Sequence, residues 1–243
     1  MILEICANSY QSAVNAEKAG AHRIELCSEL AVGGLTPNYG LLKQTIDAVT
    51  IPVFVLIRPR SGNFTYSEAE FDTMKHDIQL CKDLGYAGIV SGVLNADNTI
   101  DIERTRELIE LSQPLPFTFH RAFDWTPNPF EALDQLKKLN VQCILTSGQA
   151  SSAEKGIEIL KQLKENSLNQ VIILPGGGIN PTNASLFKSA GFTEIHASAT
   201  TIETISDVPK ITMNSTKFFN ETIDVYSNPE IIKSILKQLH NEV

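Results

Sequence analysis

Eight short runs rich in Ile, Val, Leu and Phe recur along this 243-residue chain, each followed by a stretch whose apolar residues return at helical spacing. The runs begin near Ile2, Arg23, Val53, Ala87, Phe117, Val141, Val171 and Glu194. Alternating β and α elements require a parallel sheet, because a strand rejoins its neighbour in the same direction only through a crossover. A doubly wound sheet satisfies that pattern too. Eight units in a length close to the roughly 250 residues of an eightfold barrel favour closure. The expectation is the α/β class and a (β/α)8 TIM barrel forming a single domain over 1–243. One stretch, 200–227, breaks the alternation: it is polar and Ser/Thr-rich, and reads as an irregular arm or loop, an extended connection before the last helix.

Helix boundaries carry their own signals. Ser67 and Glu70 have capping-box spacing ahead of an apolar stripe at Phe71, Met74, Ile78, Cys81 and Leu84, and Ser151 with Glu154 repeats the device. Asn180-Pro181 and Asn228-Pro229 place a cap before a proline, while Gly20, Gly85 and Gly191 sit where helices should stop.

The formal net charge of -8 argues against nucleic-acid or anionic-membrane partners, which need basic patches. The N-terminal MILEICANSYQ has neither a basic region nor a long apolar stretch, so the expected location is cytoplasmic. The four cysteines, Cys6, Cys27, Cys81 and Cys143, form no CxxC pair, which suits reduced thiols better than a disulfide framework or structural zinc.

Strand parity locates the chemistry. Side chains alternate across a strand, so Glu4 and Cys6 share a face, as do Arg23, Glu25 and Cys27, then Thr118 and His120, then Glu194, His196 and Ser198. The opposite faces read Leu3 and Ile5, Ile24 and Leu26, Phe117 and Phe119, Ile195 and Ala197, which suits packing under helices. The polar faces then point into the barrel. Barrel interiors are filled mostly by branched aliphatics, so charged groups there need one another or a ligand. Cys143, at the parity of Val141 and Leu145, is expected to face outward; Cys81 belongs to a helix stripe.

At such a mouth Glu4, Glu25, His120, Glu194 and His196 are candidates for acid–base work, and Asp124, counted with the catalytic set, for orienting one of the arginines there. Arg58, Arg60 and Arg121 have the fork geometry that holds a carboxylate or phosphate. The segment Gly176-Gly177-Gly178 after the seventh run, with Ser198 after the eighth, occupies the usual phosphate position of β/α barrels, with the N-terminus of the following helix as a further expected contributor. His22, His76 and His240 read as solvated or structural. No HExxH or GxSxG motif supports a zinc protease or a serine hydrolase.

The segments HRIELCSELAVGGLTP, IRPRSGNFTYS, FTFHRAFD, ILTSGQA, ILPGGGIN and EIHAS, in that order over roughly residues 2 to 200, resemble the CutC family of copper homeostasis proteins. The resemblance implies a cytoplasmic barrel, a homodimer or larger homo-oligomer, and a role in copper handling, with the metal on cysteines matching Cys6 and Cys27. Cu(I) prefers soft thiolates, which two cysteines on neighbouring strands supply. Burial as small hydrophobes is the bland alternative for both. The chain departs from the family's pattern after Ser198. Three readings follow: a Cu(I)-binding homeostasis protein, an enzyme doing acid–base chemistry on a small anionic or phosphorylated metabolite, and a structural or interaction module whose mouth is an ion-pair core.

Overall fold

The computed structural model describes residues 1–204, 211 and 221–240. Eight strands, β1 (Ile2–Ala7), β2 (Arg23–Leu26), β3 (Val53–Leu56), β4 (Gly88–Ser91), β5 (Phe117–Phe119), β6 (Cys143–Thr146), β7 (Ile172–Pro175) and β8 (Glu194–Ala197), pair in parallel in the order β7-β6-β5-β4-β3-β2-β1-β8. A parallel bridge between Gly176 and His196 brings the two ends of this order together, so the sheet is a nearly closed (β/α)8 barrel. Eight helices surround it among the described residues: α1 (Tyr10–Lys18), α2 (Tyr39–Ile46), α3 (Glu68–Leu84), α4 (Ile102–Ser112), α5 (Pro129–Lys138), α6 (Ile157–Ser167), α7 (Ala184–Ser189) and α8 (Pro229–His240). No helix among the described residues is long and apolar enough to cross a membrane.

The largest core lies between strands and helices. Leu3, Ile5, Ile24, Leu26, Phe117, Phe119 and Ile195 are all buried there, the faces that parity assigned outward. The interior face is separate and partly polar. Register pairs Glu4 with Arg23 and His196, and Cys6 with Glu25, so residues of one parity on neighbouring strands meet across the lumen.

Cys143 contradicts its expected orientation. It pairs in register with Thr118, which shares the inward parity of His120, and packs with Leu145 and Leu174 in a small cluster of its own. Val141 misled the parity because it lies before β6: its amide donates to Leu136 O, closing the exit of α5, and its side chain joins the outer core.

The capping box of α3 is present, with Ser67 Oγ accepting from Glu70 N and Glu70 from Ser67 N, and Asn228 Oδ1 accepts from Glu230 N at the start of α8. Gly85 ends α3 at φ 84°, a left-handed exit. Two other starts differ. Helix α6 begins after Gly156 without a side-chain cap, and Ser152 rather than Ser151 accepts, from Lys155 N. Asn180 caps a turn by accepting from Thr182 N, and α7 begins only at Ala184 with six residues. That helix is too short and too far along to present its N-terminus to the mouth.

The ends of the expected irregular arm are regular. Thr200–Thr204 (β9) and Ile223–Ser227 (β10) form an antiparallel pair, tied to α1 by Asn15 Nδ2 donating to Ser227 O and to the end of β1 by Asn8 Nδ2 donating to Val225 O. The rest of that stretch, apart from Ile211, Glu221 and Thr222, lies outside the described residues.

Candidate functional site

The lower tier of the lumen is an ion-pair network. Arg23 Nε donates to Glu4 Oε2, Arg23 Nη2 donates to Glu194 Oε2 at 2.6 Å, and His196 Nδ1 lies 2.8 Å from Glu4 Oε1. The Arg23 guanidinium also stacks over Phe54, 4.8 Å from the ring centroid. Burial pushes the Glu4 carboxyl up, but the His196 hydrogen bond and the Arg23 charge together hold it below the usual range. Burial opposes the His196 charge as well; Glu25, Cys6 and Glu4 outweigh it and hold the imidazole well above its ordinary pKa. His196 is therefore an imidazolium near neutral pH. Glu4 and Glu194 are satisfied here and do not line the open cavity.

One layer up, Cys6 Sγ lies 3.6 Å from Cys27 Sγ and 3.9 Å from Glu25 Oε1. Ligand atoms of Cys6, Glu25 and His196 all fall within 4.8 Å of one another. The Cys6 thiol is pushed well up, first by its contact with Cys27 and then by burial. Burial also pushes the Glu25 carboxyl up to about 7, against the pull of His196. Glu25 Oε2 is buried with no hydrogen-bond partner among the described residues, its nearest cation being His196 Nδ1 at 3.9 Å, an unusual state for a carboxyl oxygen.

Above these groups opens a cavity of about 340 Å³, lined by Cys6, Glu25, Arg58, His120, Arg121, Asp124, Gly177, Gly178, His196 and Ser198 among others. Phe64 and Trp125 roof it in edge-on contact, centroids 4.9 Å apart. His120 enters from the end of β5. Its Nδ1 accepts from Ala122 N, so the proton sits on Nε2, which is buried without a partner. Burial first, then the nearby Arg58 charge, push His120 down to about 3, leaving a neutral imidazole that can donate but not take up a proton near pH 7. Gly92 makes room for this ring: a Cβ there would stand 2.6 Å from His120 Nδ1.

The three arginines have different fates. Arg58 is buried and donates to Val32 O, Gly34 O and Gly62 O, so it chiefly braces the loops beside β2 and β3. Arg60 pairs with Glu70 at 2.5 Å and with the carbonyls of Ser61, Asn63 and Thr65, and does not line the cavity. Arg121 does line it, held by Asp124 Oδ2 at 2.8 Å and Ser147 Oγ at 2.9 Å. Asp124 also accepts from Thr146 Oγ1, Ser147 N and Gln149 N, which makes it the anchor of the loop after β6. Gly176 brings β7 against β8: a Cβ there would meet Leu145 Cδ1 at 2.5 Å and His196 Cβ at 3.3 Å.

Arg23 and Ser147 were not among the expected site residues, although both are legible afterwards, one as an inward cation between two inward acids, the other as the hydroxyl in ILTSGQA. Phe64 and Trp125 come from separate loops and carry no local signal. His22 accepts from Leu3 N and is structural.

The CutC family model matches residues 1–201. A Proteus mirabilis family protein CutC is 49% identical over 197 residues, covering 81% of this chain and 78% of the relative. The human copper homeostasis protein cutC homolog is 47% identical over 199 residues, covering 82% of this chain and 73% of the relative. Among solved structures, a Streptococcus agalactiae CutC superposes with a TM-score of 0.77 at 35% identity, covering 82% of this chain and 98% of that one. A thiamine phosphate pyrophosphorylase from Pyrococcus furiosus, at TM-score 0.61 and 13% identity over 98% of this chain and 95% of that one, shares the fold alone.

Proposed function

This chain belongs to the CutC family, and we propose that it binds Cu(I) at the barrel mouth through Cys6 and Cys27, with His196 alongside. The observation that carries this is the sulfur pair: two thiols 3.6 Å apart, Cys6 lining an open cavity and Cys27 buried behind it. A soft monovalent ion suits two thiolates far better than it suits the carboxylates nearby. Because Cys6 is exposed to the cavity and Cys27 is buried beneath it, the ion arrives through Cys6. Titration with Cu(I) against a competing chelator under reducing conditions should give tight binding that Cys6→Ala and Cys27→Ala each abolish. Unchanged affinity in both variants would sink the assignment.

A second reading rests on a different observation. Glu25 Oε2 and His120 Nε2 are both buried and without a hydrogen bond among the described residues, and both side chains line the same cavity. The ion pairs of a purely structural core account for Glu4, Arg23 and Glu194, but reach Glu25 only through His196 Nδ1 at 3.9 Å and leave His120 Nε2 unexplained. A carboxyl titrating near 7 beside a neutral imidazole donor suits removal of a proton from carbon next to a carbonyl, the carboxylate taking the proton and the imidazole steadying the oxygen. Solvent deuterium should then enter such C–H positions of small anionic carbonyl compounds, followed by proton NMR, and Glu25→Gln should stop it.

A further inference from the structure

Three loops bring donors to the cavity: Arg121 after β5, Gly177 and Gly178 after β7, and Ser198 after β8. Arg121 is fixed by two of its nitrogens, Nε on Asp124 and Nη2 on Ser147, and its Nη1 has no partner among the described residues. Gly177 and Gly178 follow β7 with φ of 105° and 76°, conformations that L side chains rarely adopt, and both glycines line the cavity. A Cβ at Gly177 would lie 3.4 Å from Arg121 Nη1, so the glycine backbone runs directly beside the guanidinium. The Gly178 amide and the Ser198 hydroxyl also lack protein partners among the described residues. The buried, unpartnered His120 Nε2–H belongs to the lining of the same cavity.

We propose that Arg121, Gly177, Gly178 and Ser198 form a binding site for the phosphate group of a small phosphomonoester, and that His120 Nε2 donates to a carbonyl oxygen on the same molecule. The carbonyl half rests on the acid–base reading of the cavity; the phosphate half stands on the contacts above. Donors arriving from the loops after β5, β7 and β8 surround a tetrahedral group better than a planar carboxylate, and the guanidinium supplies the charge. The cavity, at about 340 Å³, sets the size, since it lies at the small end of ligand pockets. His120 has a donor and no free acceptor on its cavity side, so the oxygen it meets must accept.

Calorimetry on the full chain tests both halves, with inorganic phosphate, acetate, propyl phosphate and acetonyl phosphate as probes. Phosphate should bind measurably and acetate should not, and Arg121→Gln and Ser198→Ala should each weaken phosphate about tenfold, the scale of losing one charge-assisted contact. Melting temperatures without phosphate check that each variant is folded. Acetonyl phosphate should bind about tenfold more tightly than propyl phosphate, and His120→Phe should erase that margin. A shift of the His120 Nε2 nitrogen resonance in the wild-type chain on adding acetonyl but not propyl phosphate reports the same contact without any substitution. No phosphate binding, or binding indifferent to both Arg121 and Ser198, overturns the site even if deuterium exchange at Glu25 is found. Equal affinity for the two organophosphates overturns the carbonyl contact. Phosphate binding that depends on Arg121 with no deuterium exchange leaves the site standing and removes the acid–base reading instead.

Discussion

Glu4 is shared by His196 and Arg23: its Oε1 lies 2.8 Å from His196 Nδ1, and its other oxygen accepts from Arg23 Nε. The two strands that flank β1 thus each supply a cation to a carboxylate that is 1% exposed, and Arg23 goes on to pair with Glu194 on β8. This arrangement holds the Glu4 carboxyl below its usual range and frees Glu25, one layer up, from any direct arginine partner. The open chemistry of the mouth depends on the closed chemistry beneath it.

Arg23→Met strips the shared cation from two buried carboxylates. Breaking a buried pair from one side costs about 3–5 kcal/mol, because a charge is left without compensation. Urea unfolding of the variant should show a loss of that order. Adding Glu4→Leu to the same chain should recover part of it; a double variant as weak as the sum of the singles would mean the pair is not coupled.

Glu25 makes stability fall with rising pH. Its carboxyl is raised from 4.5 to about 7 in the folded chain, so between those values the folded state holds a proton that the unfolded state has released. The contribution is fully present below pH 4.5 and is lost as pH rises through about 7. At ~1.4 kcal/mol per pKa unit it amounts to roughly 3–4 kcal/mol. Glu25→Gln should flatten that part of the stability profile measured by denaturant titration at intervals of pH. A slope unchanged by the substitution would place the carboxyl's titration elsewhere.

The barrel was legible because periodicity is a long-range repetition of a local rule: eight apolar runs with helical segments between them leave few topologies. Parity succeeded for Glu4, Glu25, His120 and His196, since alternation is strict within a paired strand. It failed at Cys143 because Val141, taken as part of the same strand, belongs to the helix exit. Arg60 and Arg121 look alike in sequence; only the folded loops decide that Glu70 captures one while Asp124 aims the other at the cavity. The β9–β10 pair was invisible because β9, TTIET, is Thr-rich with mostly exposed residues, and β10, IDVYS, is a short, largely exposed run.

Gly92 is the seat of His120. An added methyl would stand 2.6 Å from Nδ1 and 2.7 Å from Cε1, so Gly92→Ala must displace the ring and break its contact with Ala122 N. Overpacking of this kind costs about 1–3 kcal/mol. In the wild-type chain the His120 ring resonances should be flat from pH 5 to pH 9, since the group titrates at about 3. In the variant they should titrate closer to the ordinary ~6.5 as the ring regains water. Retention of a flat profile would show that the ring had stayed in place.

Cu(I) uptake at Cys6 and Cys27 should release protons and strengthen with pH. The Cys6 thiol is held well above its ordinary pKa by Cys27 and by burial, so it is a thiol, not a thiolate, before the ion arrives. Metal binding must displace that proton, and His196, an imidazolium under Glu4 and Glu25, must lose its own to become a ligand. Calorimetry in buffers of different ionisation heat counts the protons released per ion. Involvement of His196 raises the count above that of the sulfur pair alone, and His196→Phe should lower it by one while Cys81→Ser, on the outer face of the barrel, leaves it unchanged. A proton count near zero would mean that the ion is held by groups already ionised, which rules out the sulfurs.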